Sequence, residues 1–139
     1  RLPYYDYKSA GAYFVTLVTR LRVPLFGHID NSCLIRSHFG TIAELEWFSL
    51  SSRIPGLKLD SFVLMPNHLH GILWLGENRL CPLSRIIALY KAGVTRRCGQ
   101  KIWQFNFHER VIRDERELYF VRQYIEQNPL RWEWDRYYL

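Results

Sequence analysis

The stretch FVLMPNHLHGILWL, from Phe62 to Leu75, decides the fold of this chain. Two apolar runs meet at Met65-Pro66-Asn67, and Pro66 cannot donate a hydrogen bond to a strand ladder, so the pattern predicts two antiparallel strands joined by a tight turn. Alternate side chains of a strand point to the same face, which places His68 and His70 side by side, about 6–7 Å apart at Cα. Two imidazoles at that spacing can bind one metal ion.

Capping residues and periodicity divide the rest of the chain. Ser37 is a candidate N-cap, and Asp114 with Glu117 three residues later forms a capping-box-like start. The predicted segments are a basic arm at 1–10, a basic loop at 20–26, strands at 12–19, 33–36, 57–65, 68–75 and 103–112, and helices ending near 52, 98 and 127. This order predicts an α+β fold, a ferredoxin-like or RRM-like sandwich with a central antiparallel sheet and helices mostly on one face.

Helical spacing also predicts which side chains face the interior. We expect the buried positions to be Ile42, Leu45 and Phe48 or Leu50 in the first helix, Ile86, Ile87, Leu89 and Tyr90 in the second, and Leu118, Val121 and Ile125 in the last. Tyr124 and Asn128 are four residues apart and therefore share one flank of the last apolar stripe.

Length and composition favour one domain, 1–139, that binds a polyanion. The net charge is +6 and 16% of the residues are aromatic, a combination that suits single-stranded nucleic acid. No apolar run approaches the roughly 20 residues needed to span a bilayer, so we expect no membrane partner. Three widely separated cysteines indicate reduced thiols, and we therefore expect a cytoplasmic protein, which a nucleic-acid partner would make nucleoid-associated.

The last helix can complete a metal site. If its flank reaches the sheet margin that carries His68 and His70, then Tyr124 and Asn128 converge on the two imidazoles. Two imidazoles and an amide oxygen suit Mg²⁺ or Mn²⁺ and leave open positions for phosphate and water. Each signal alone also fits a structural role, because a histidine pair on a strand and a tyrosine on a helix are both common in protein interiors.

Several motifs resemble those of one family, the REP-associated tyrosine transposases, which are relatives of the single-tyrosine HUH transposases. The segment MPNHLHGIL, from Met65 to Leu73, resembles the family's MPNHxH motif. The other agreeing segments, in order between residues 12 and 130, are Tyr13-Phe-Val-Thr, Leu25-Phe26, Lys91, Trp103-Gln104 with Ile112-Arg113-Asp-Glu, and Tyr124-Ile125 with Asn128-Pro129.

The resemblance implies metal-dependent nicking and strand transfer of single-stranded DNA beside short hairpins, through a 5′-phosphotyrosine. By position, His68 and His70 match the HUH metal ligands, Tyr124 matches the nucleophile, and Asn128 stands where insertion-sequence relatives supply a glutamine ligand. A monomer acting in cis is the expected assembly, rather than a dimer that exchanges its last helix. The cations expected to hold the DNA backbone are those of the arm together with Arg85, Lys91, Arg96, Arg97 and Arg113.

Other functions stay open at this stage. A rolling-circle initiator or relaxase would use the same chemistry, a non-catalytic nucleic-acid-binding domain would use the fold alone, and a metal-dependent hydrolase would form no covalent product. The chain also departs from the family after Pro129, where residues 130–139 contain Trp132 and Trp134. We expect these indoles to anchor the segment rather than to stack on bases.

Overall fold

The computed structural model of the chain describes residues 11–77 and 81–138, so the predicted basic arm at 1–10 lies outside the described residues. Short 3₁₀ turns occupy Arg20–Arg22 and Pro129–Trp134. The strands and helices, in chain order, are β1 (Gly11–Val18), β2 (Gly27–Asp30), β3 (Cys33–Arg36), α1 (His38–Arg53), β4 (Leu57–Met65), β5 (His68–Leu75), α2 (Leu83–Cys98), β6 (His108–Ile112) and α3 (Glu115–Gln127).

Four of these strands form one antiparallel sheet in the order β4-β5-β1-β6. The central pair is β1 and β5, in a register that sets Thr16 opposite His70 and Val18 opposite His68. Helices α1 and α2 connect the strands as in a βαββαβ sandwich, so the predicted ferredoxin-like α+β fold is confirmed. The histidine pair therefore lies in the middle of the sheet, next to the central strand.

The pleat of the sheet separates two apolar clusters. Side chains such as Val15, Leu69 and Leu73 pack on one face with α1 and α2. The alternate side chains, including Ala12 and Ile72, pack on the other face with α3. Of the three α-helices in the described ranges, two cover one face, as predicted, and the third lies alone on the face that carries His68 and His70.

The larger cluster is centred on two aromatic side chains. The Trp47 indole of α1 packs edge to face on the Tyr90 ring of α2, with 5.4 Å between ring centroids. The Tyr90 hydroxyl donates to the Ala43 carbonyl at 2.8 Å, which ties the two helices together. Gly71 of β5 lies directly under the indole, because a Cβ there would be 2.3 Å from Trp47 Cζ2. The glycine beside His70 thus serves the packing of the opposite face.

The predicted interior of the first two helices needs correction. Leu45 and Phe48 are 54% and 51% exposed, and Leu89 is 38% exposed. In α1, Ile42 and Leu50 are buried as predicted, and the rest of the buried face runs through Ala43, Glu46 and Trp47. This face is central because α1 packs on the sheet and on α2 at once. Glu46 can be buried there since its carboxylate accepts from two arginines, Arg53 at 3.1 Å and Arg97 at 3.3 Å.

Two strand predictions also differ from the structure. The hairpin of β2 and β3 contains a strand that was not predicted, and its turn residues Asn31 and Ser32 have φ of 49° and 61°. The predicted strand at 103–112 is regular only in β6, while Trp103 forms a single bridge with Thr19. Within the described ranges, no helix combines the length and the apolar character needed to cross a bilayer.

Candidate active site

The two histidines of β5 are buried side by side. Both side chains are almost fully excluded from solvent, and their ring centroids are 4.8 Å apart with the rings nearly perpendicular. The strand fixes this spacing, and the antiparallel partner β1 fixes their surroundings. The predicted pairing of His68 with His70 on one face is therefore present in the structure.

His70 is held by one hydrogen bond and is otherwise unpaired. Its Nδ1 lies 2.7 Å from Thr16 Oγ1, on the strand directly opposite. Its Nε2 is buried and has no hydrogen-bond partner among the described residues. Burial, together with the nearby His68, lowers the pKa of His70 to about 3. The imidazole is therefore neutral near pH 7, which is the form that binds a metal ion.

Asn67 determines which nitrogen of His68 carries the proton. The amide nitrogen of Asn67 donates to the carbonyls of Tyr137, at 2.7 Å, and Arg22, at 3.2 Å. Its oxygen must then face His68 Nδ1, which lies 2.9 Å away and has to donate a proton to it. In a neutral His68 ring the lone pair is consequently on Nε2, which points into the site.

A carboxylate faces that lone pair. Asp135 Oδ2 lies 3.5 Å from His68 Nε2, and the Asp135 side chain is only 2% exposed. Although burial opposes it, the contact with His68 and a backbone N–H keep the pKa of Asp135 below its ordinary value. Ligand atoms of His68, His70 and Asp135 all lie within 4.8 Å of one another, so this cluster can hold a metal ion.

Asp135 was not predicted as a site residue. It follows Pro129, in the segment where the sequence departs from the family pattern, and no spacing rule links it to the histidines. The only signal was an acidic residue in a tail rich in aromatic side chains.

Tyr124 reaches the site from α3. Leu118, Val121 and Ile125 are buried against the sheet, as predicted, and they turn the next flank of the helix toward β5. The Tyr124 ring lies 5.2 Å from the His70 ring, edge to face, and the residue is 45% exposed. Partial burial raises the pKa of the Tyr124 phenol, and the Asn128 side chain opposes that effect.

Asn128 lies one helical turn beyond Tyr124 and is buried. Its amide nitrogen donates weakly to the Tyr124 carbonyl, at 3.4 Å. Its Oδ1 is buried and has no partner in the part of the chain that the structure describes. Asn128 is thus placed beside the tyrosine, with an oxygen left for another group.

A cleft opens in front of these side chains. It has a volume of about 340 Å³ and lies between β1, β6, α3 and the segment after α3. Its walls carry aromatic and cationic groups in addition to His70 and Tyr124. They are Phe14, Thr16, His108, Glu109, Arg110, Arg136 and Tyr137. No role in the site was predicted from the sequence for His108, Arg110 or Arg136.

Four of the cations predicted to bind DNA lie elsewhere. Helix α2, with Arg85, Lys91, Arg96 and Arg97, packs on the face of the sheet opposite to the histidines. Lys91 Nζ donates to the carbonyls of residues 104, 105 and 106, and Arg97 pairs with Glu46. Arg85 and Arg96 are exposed and make no ion pair within the described ranges.

The fifth cation, Arg113, precedes α3. Its guanidinium pairs with Glu117 at 3.0 Å, and the same carboxylate accepts from Arg110 at 3.3 Å. The structure therefore brings together His68, His70 and Tyr124, with Asn128 adjacent, but none of the five predicted DNA-binding cations lines the cleft.

Comparisons with known proteins identify the fold of this chain and do not test its chemistry. No family model matches the chain. A Haemophilus influenzae protein of uncharacterised function is 33% identical over 164 aligned positions, covering 100% of this chain and 91% of that protein. The chain belongs to the same family as that protein.

A solved REP-associated tyrosine transposase, bound to a REP hairpin, matches 98% of this chain and 75% of its own with a TM-score of 0.75 at 24% identity. This chain has the fold of a REP-associated tyrosine transposase.

A second solved structure agrees with this assignment of the fold. It is a Deinococcus radiodurans protein provisionally assigned as a transposase, with a TM-score of 0.53, 16% identity, and coverage of 91% of this chain and 95% of its own. The predicted resemblance to the REP-associated tyrosine transposases is therefore confirmed for the fold. In this setting the buried histidine pair of β5 and Tyr124 of α3 stand together on one face of the sheet.

Proposed function

We propose that this protein nicks and rejoins single-stranded DNA beside short palindromic hairpins, with Tyr124 as the nucleophile and a divalent metal ion as cofactor. One observation carries the proposal. The Tyr124 ring lies 5.2 Å from His70, one of two buried imidazoles whose Nε2 atoms have no hydrogen-bond partner within the described residues. A phenol beside a metal-binding pair is the arrangement that phosphotyrosine chemistry needs.

The donor atoms fit a divalent cation. The buried acceptors that converge here are two imidazole nitrogens and the Asp135 carboxylate, with the unpaired Asn128 oxygen close to Tyr124. Nitrogen ligands with a carboxylate favour Mn²⁺ over Mg²⁺, which prefers oxygen ligands. When bound, the ion supplies positive charge to a non-bridging oxygen of the scissile phosphate.

Tyr124 performs the covalent step. Its Oη forms a bond to phosphorus while the P–O3′ bond breaks, the phenolic proton passes to water, and the leaving oxygen takes up a proton to become a 3′-OH. The raised pKa keeps the phenol protonated near pH 7, so proton loss accompanies the attack. One phosphodiester replaces another, and an incoming 3′-OH can therefore reverse the step and complete strand transfer.

The cleft supplies contacts for the nucleotides on either side of the cut. Arg136 and His108 offer donors to phosphate, while Phe14 offers a ring to a base. Arg110 also lines the cleft, but its guanidinium already pairs with Glu117. We propose that Arg85 and Arg96, exposed on α2, contact the DNA backbone farther from the cut. The side chains of Lys91, Arg97 and Arg113 are already bonded to protein oxygens. We therefore propose that these three cations attract DNA through their positive charge rather than by direct contact.

The proposal includes the assembly and the location. A single catalytic domain, 1–139, works as a monomer in cis, supported by the packing of α3 on the sheet of its own chain. Its substrate places it in the cytoplasm, on the nucleoid.

A covalent adduct tests the proposal. The protein is incubated with Mn²⁺ and a single strand that carries a hairpin and a label at its 3′ end, which stays attached to the protein if a 5′-phosphotyrosine forms. Wild type should give a labelled band that survives denaturation, and Tyr124→Phe should give none. Tyr119→Phe is the matched control, since Tyr119 is an exposed tyrosine of the same helix.

Other outcomes would replace the proposal. An adduct that persists in Tyr124→Phe would move the nucleophile elsewhere. Release of free 5′-phosphate ends without an adduct would make the protein a hydrolase. Binding that is indifferent to divalent metal, with no cleavage, would leave a nucleic-acid-binding domain.

A further inference from the structure

The segment after α3 folds back over the histidine pair. We call residues 129–138 the C-terminal strap. Its Tyr137 ring is buried with its centroid 4.6 Å from the His68 ring, and the Trp132 ring stacks on His68 with 6.1 Å between ring centroids. Trp134, in contrast, is among the most exposed aromatic residues of the described chain. The strap thus encloses one ligand of the proposed metal site.

Asp135 is the buried charge of the strap. Its Oδ1 accepts the Tyr137 backbone N–H at 2.8 Å, which fixes the carboxylate, and its Oδ2 faces His68 Nε2 at 3.5 Å. No lysine or arginine among the described residues pairs with it. Burying a carboxylate without a positive partner is costly, so this position favours a positive charge beside Asp135, either on a protonated His68 or on a cation between Asp135 and the imidazoles.

The same amide holds the histidine and the strap. Asn67 accepts from His68 Nδ1 and donates to the Tyr137 carbonyl. In a neutral His68 ring the lone pair of Nε2 is thereby aimed at Asp135, and two acceptors face each other across 3.5 Å, whereas a ring with a proton on both nitrogens would donate to the carboxylate. A metal ion bound by both atoms converts this repulsion into two coordinate bonds.

We infer that Asp135 is the third protein ligand of the metal ion and that metal binding holds the C-terminal strap closed over the site. This inference rests on the proposed function only in assuming that the site takes a divalent ion. Asn128 then has a different task from the one expected of it. It is a positioning residue, whose buried side chain lies against Tyr124.

Mn²⁺ titration by calorimetry tests the ligand, with matched variants of the strap. Asp135→Asn keeps the shape and removes the charge, and it should weaken Mn²⁺ binding by about 100-fold or more, since even partners of metal ligands contribute about 10–100-fold. Glu133→Gln makes the same change at an exposed position two residues away and should bind as wild type does. Asn128→Ala should change the affinity by less than about 3-fold, because it removes no ligand.

Limited trypsin digestion tests the closure without relying on any variant. Arg136 is an exposed cleavage site next to Asp135. Mn²⁺ should slow cleavage after Arg136 in wild type several-fold, and it should have no such effect in an Asp135→Asn protein whose metal-free melting curve shows that it is folded. If wild type binds Mn²⁺ while cleavage after Arg136 is unchanged, the strap does not close on the ion.

The results separate this inference from the proposed function. Equal Mn²⁺ affinity in Asp135→Asn and wild type, or a large loss in Asn128→Ala alone, would overturn the inference even if the tyrosine adduct forms. Mn²⁺ binding that depends on Asp135, without any adduct, would support the metal site and overturn the nicking activity.

Discussion

The two faces of the sheet differ in what covers them. The face under α1 and α2 is closed by aliphatic side chains and by Trp47 and Tyr90, and its unpaired buried side-chain polar atoms among the described residues are indole N–H donors, those of Trp47 and Trp103. The face under α3 is apolar only at one end, around Ile72, and becomes polar at the other, where His68 and His70 lie. One face stabilises the fold, and the other leaves buried acceptors unsatisfied.

The difference teaches how one strand can serve both purposes. Along β5, Leu69 and Leu73 face the closed side while His70 and Ile72 face the open side. Because of the pleat, adjacent residues of β5 face alternately the apolar core and the proposed site. Substitutions on neighbouring positions should separate stability from metal binding, and the predictions below use that separation.

Removing the central side chain of the closed face should have the largest effect. Trp47→Ala deletes a fully buried indole that packs on Tyr90 and Phe62, and it should lower the free energy of unfolding by about 3–5 kcal/mol. Urea denaturation measures the loss. On the open face, Tyr124→Phe should leave that free energy nearly unchanged, and an equal loss there would contradict the division between the faces.

Adding one methyl group to the closed face should have the next largest effect. Gly71→Ala forces a Cβ against the Trp47 indole and should destabilise the fold by about 1–3 kcal/mol. A second substitution, Trp47→Phe, removes the ring atoms in contact and should make the combined loss smaller than the sum of the two single losses. Metal affinity of the folded protein should not change, although residue 71 adjoins His70.

On the open face, the hydrogen-bond partner of a proposed metal ligand should matter for metal binding more than for folding. Thr16→Val removes the hydroxyl that orients His70, and it should weaken Mn²⁺ binding by about 10–100-fold. Calorimetry at pH 7.5 gives the affinity. Thr41→Val, on α1 away from the site, is the control and should bind Mn²⁺ as wild type does.

The ion pair between Arg122 of α3 and Asp60 of β4 should have the smallest effect on stability and a distinct pH dependence. Asp60 accepts two hydrogen bonds from Arg122 and one from Trp74, and the bonds from Arg122 hold the pKa of Asp60 far below its ordinary value. Because a lowered pKa stabilises the fold only while the group is ionised, the contribution should be present above about pH 4 and fade as the pH falls below it.

The variant Asp60→Asn makes this measurable. At pH 7 it should be less stable than wild type by about 1 kcal/mol or less, since Arg122 is largely exposed. Near pH 2.5 the difference should shrink. A difference that stays constant over that range would show that Asp60 stabilises the fold by hydrogen bonding alone, without its charge.

Much of the fold was predictable because local signals and tertiary packing agree. The turn at Pro66 gave the bounds of β4 and β5, Ser37 caps α1 by accepting from the Gly40 N–H, and Asp114 caps α3 by accepting from the Glu117 N–H. The stripe of α3 predicted the side of the helix that faces the sheet. His68, His70 and Tyr124 therefore meet because a strand period and a helix period are both regular.

The rest of the fold and of the site depends on contacts between distant residues, which no periodicity in the sequence reveals. Glu46 is buried because two arginines reach its carboxylate, Arg53 of the same helix and Arg97 of α2. Lys91 looks like a surface cation in the sequence, but its ammonium group is used by three carbonyls of a loop. Asp135 lies in the site because Asn67 donates a hydrogen bond to the backbone carbonyl of Tyr137, two residues later. The β2–β3 hairpin did leave a local signal, the Asn31-Ser32 turn with both residues at positive φ.

Asn67 also determines how the chain can be dissected. One side chain joins the carbonyl of Arg22, the ring of His68 and the carbonyl of Tyr137, three points spread over most of the described sequence. Cutting the chain after residue 128 would leave a buried donor without its shorter bond and uncover two histidine rings. A protein shortened to residues 1–128 should therefore need the removed segment to fold, and a synthetic peptide of residues 129–139, added in trans, tests whether the fold is restored.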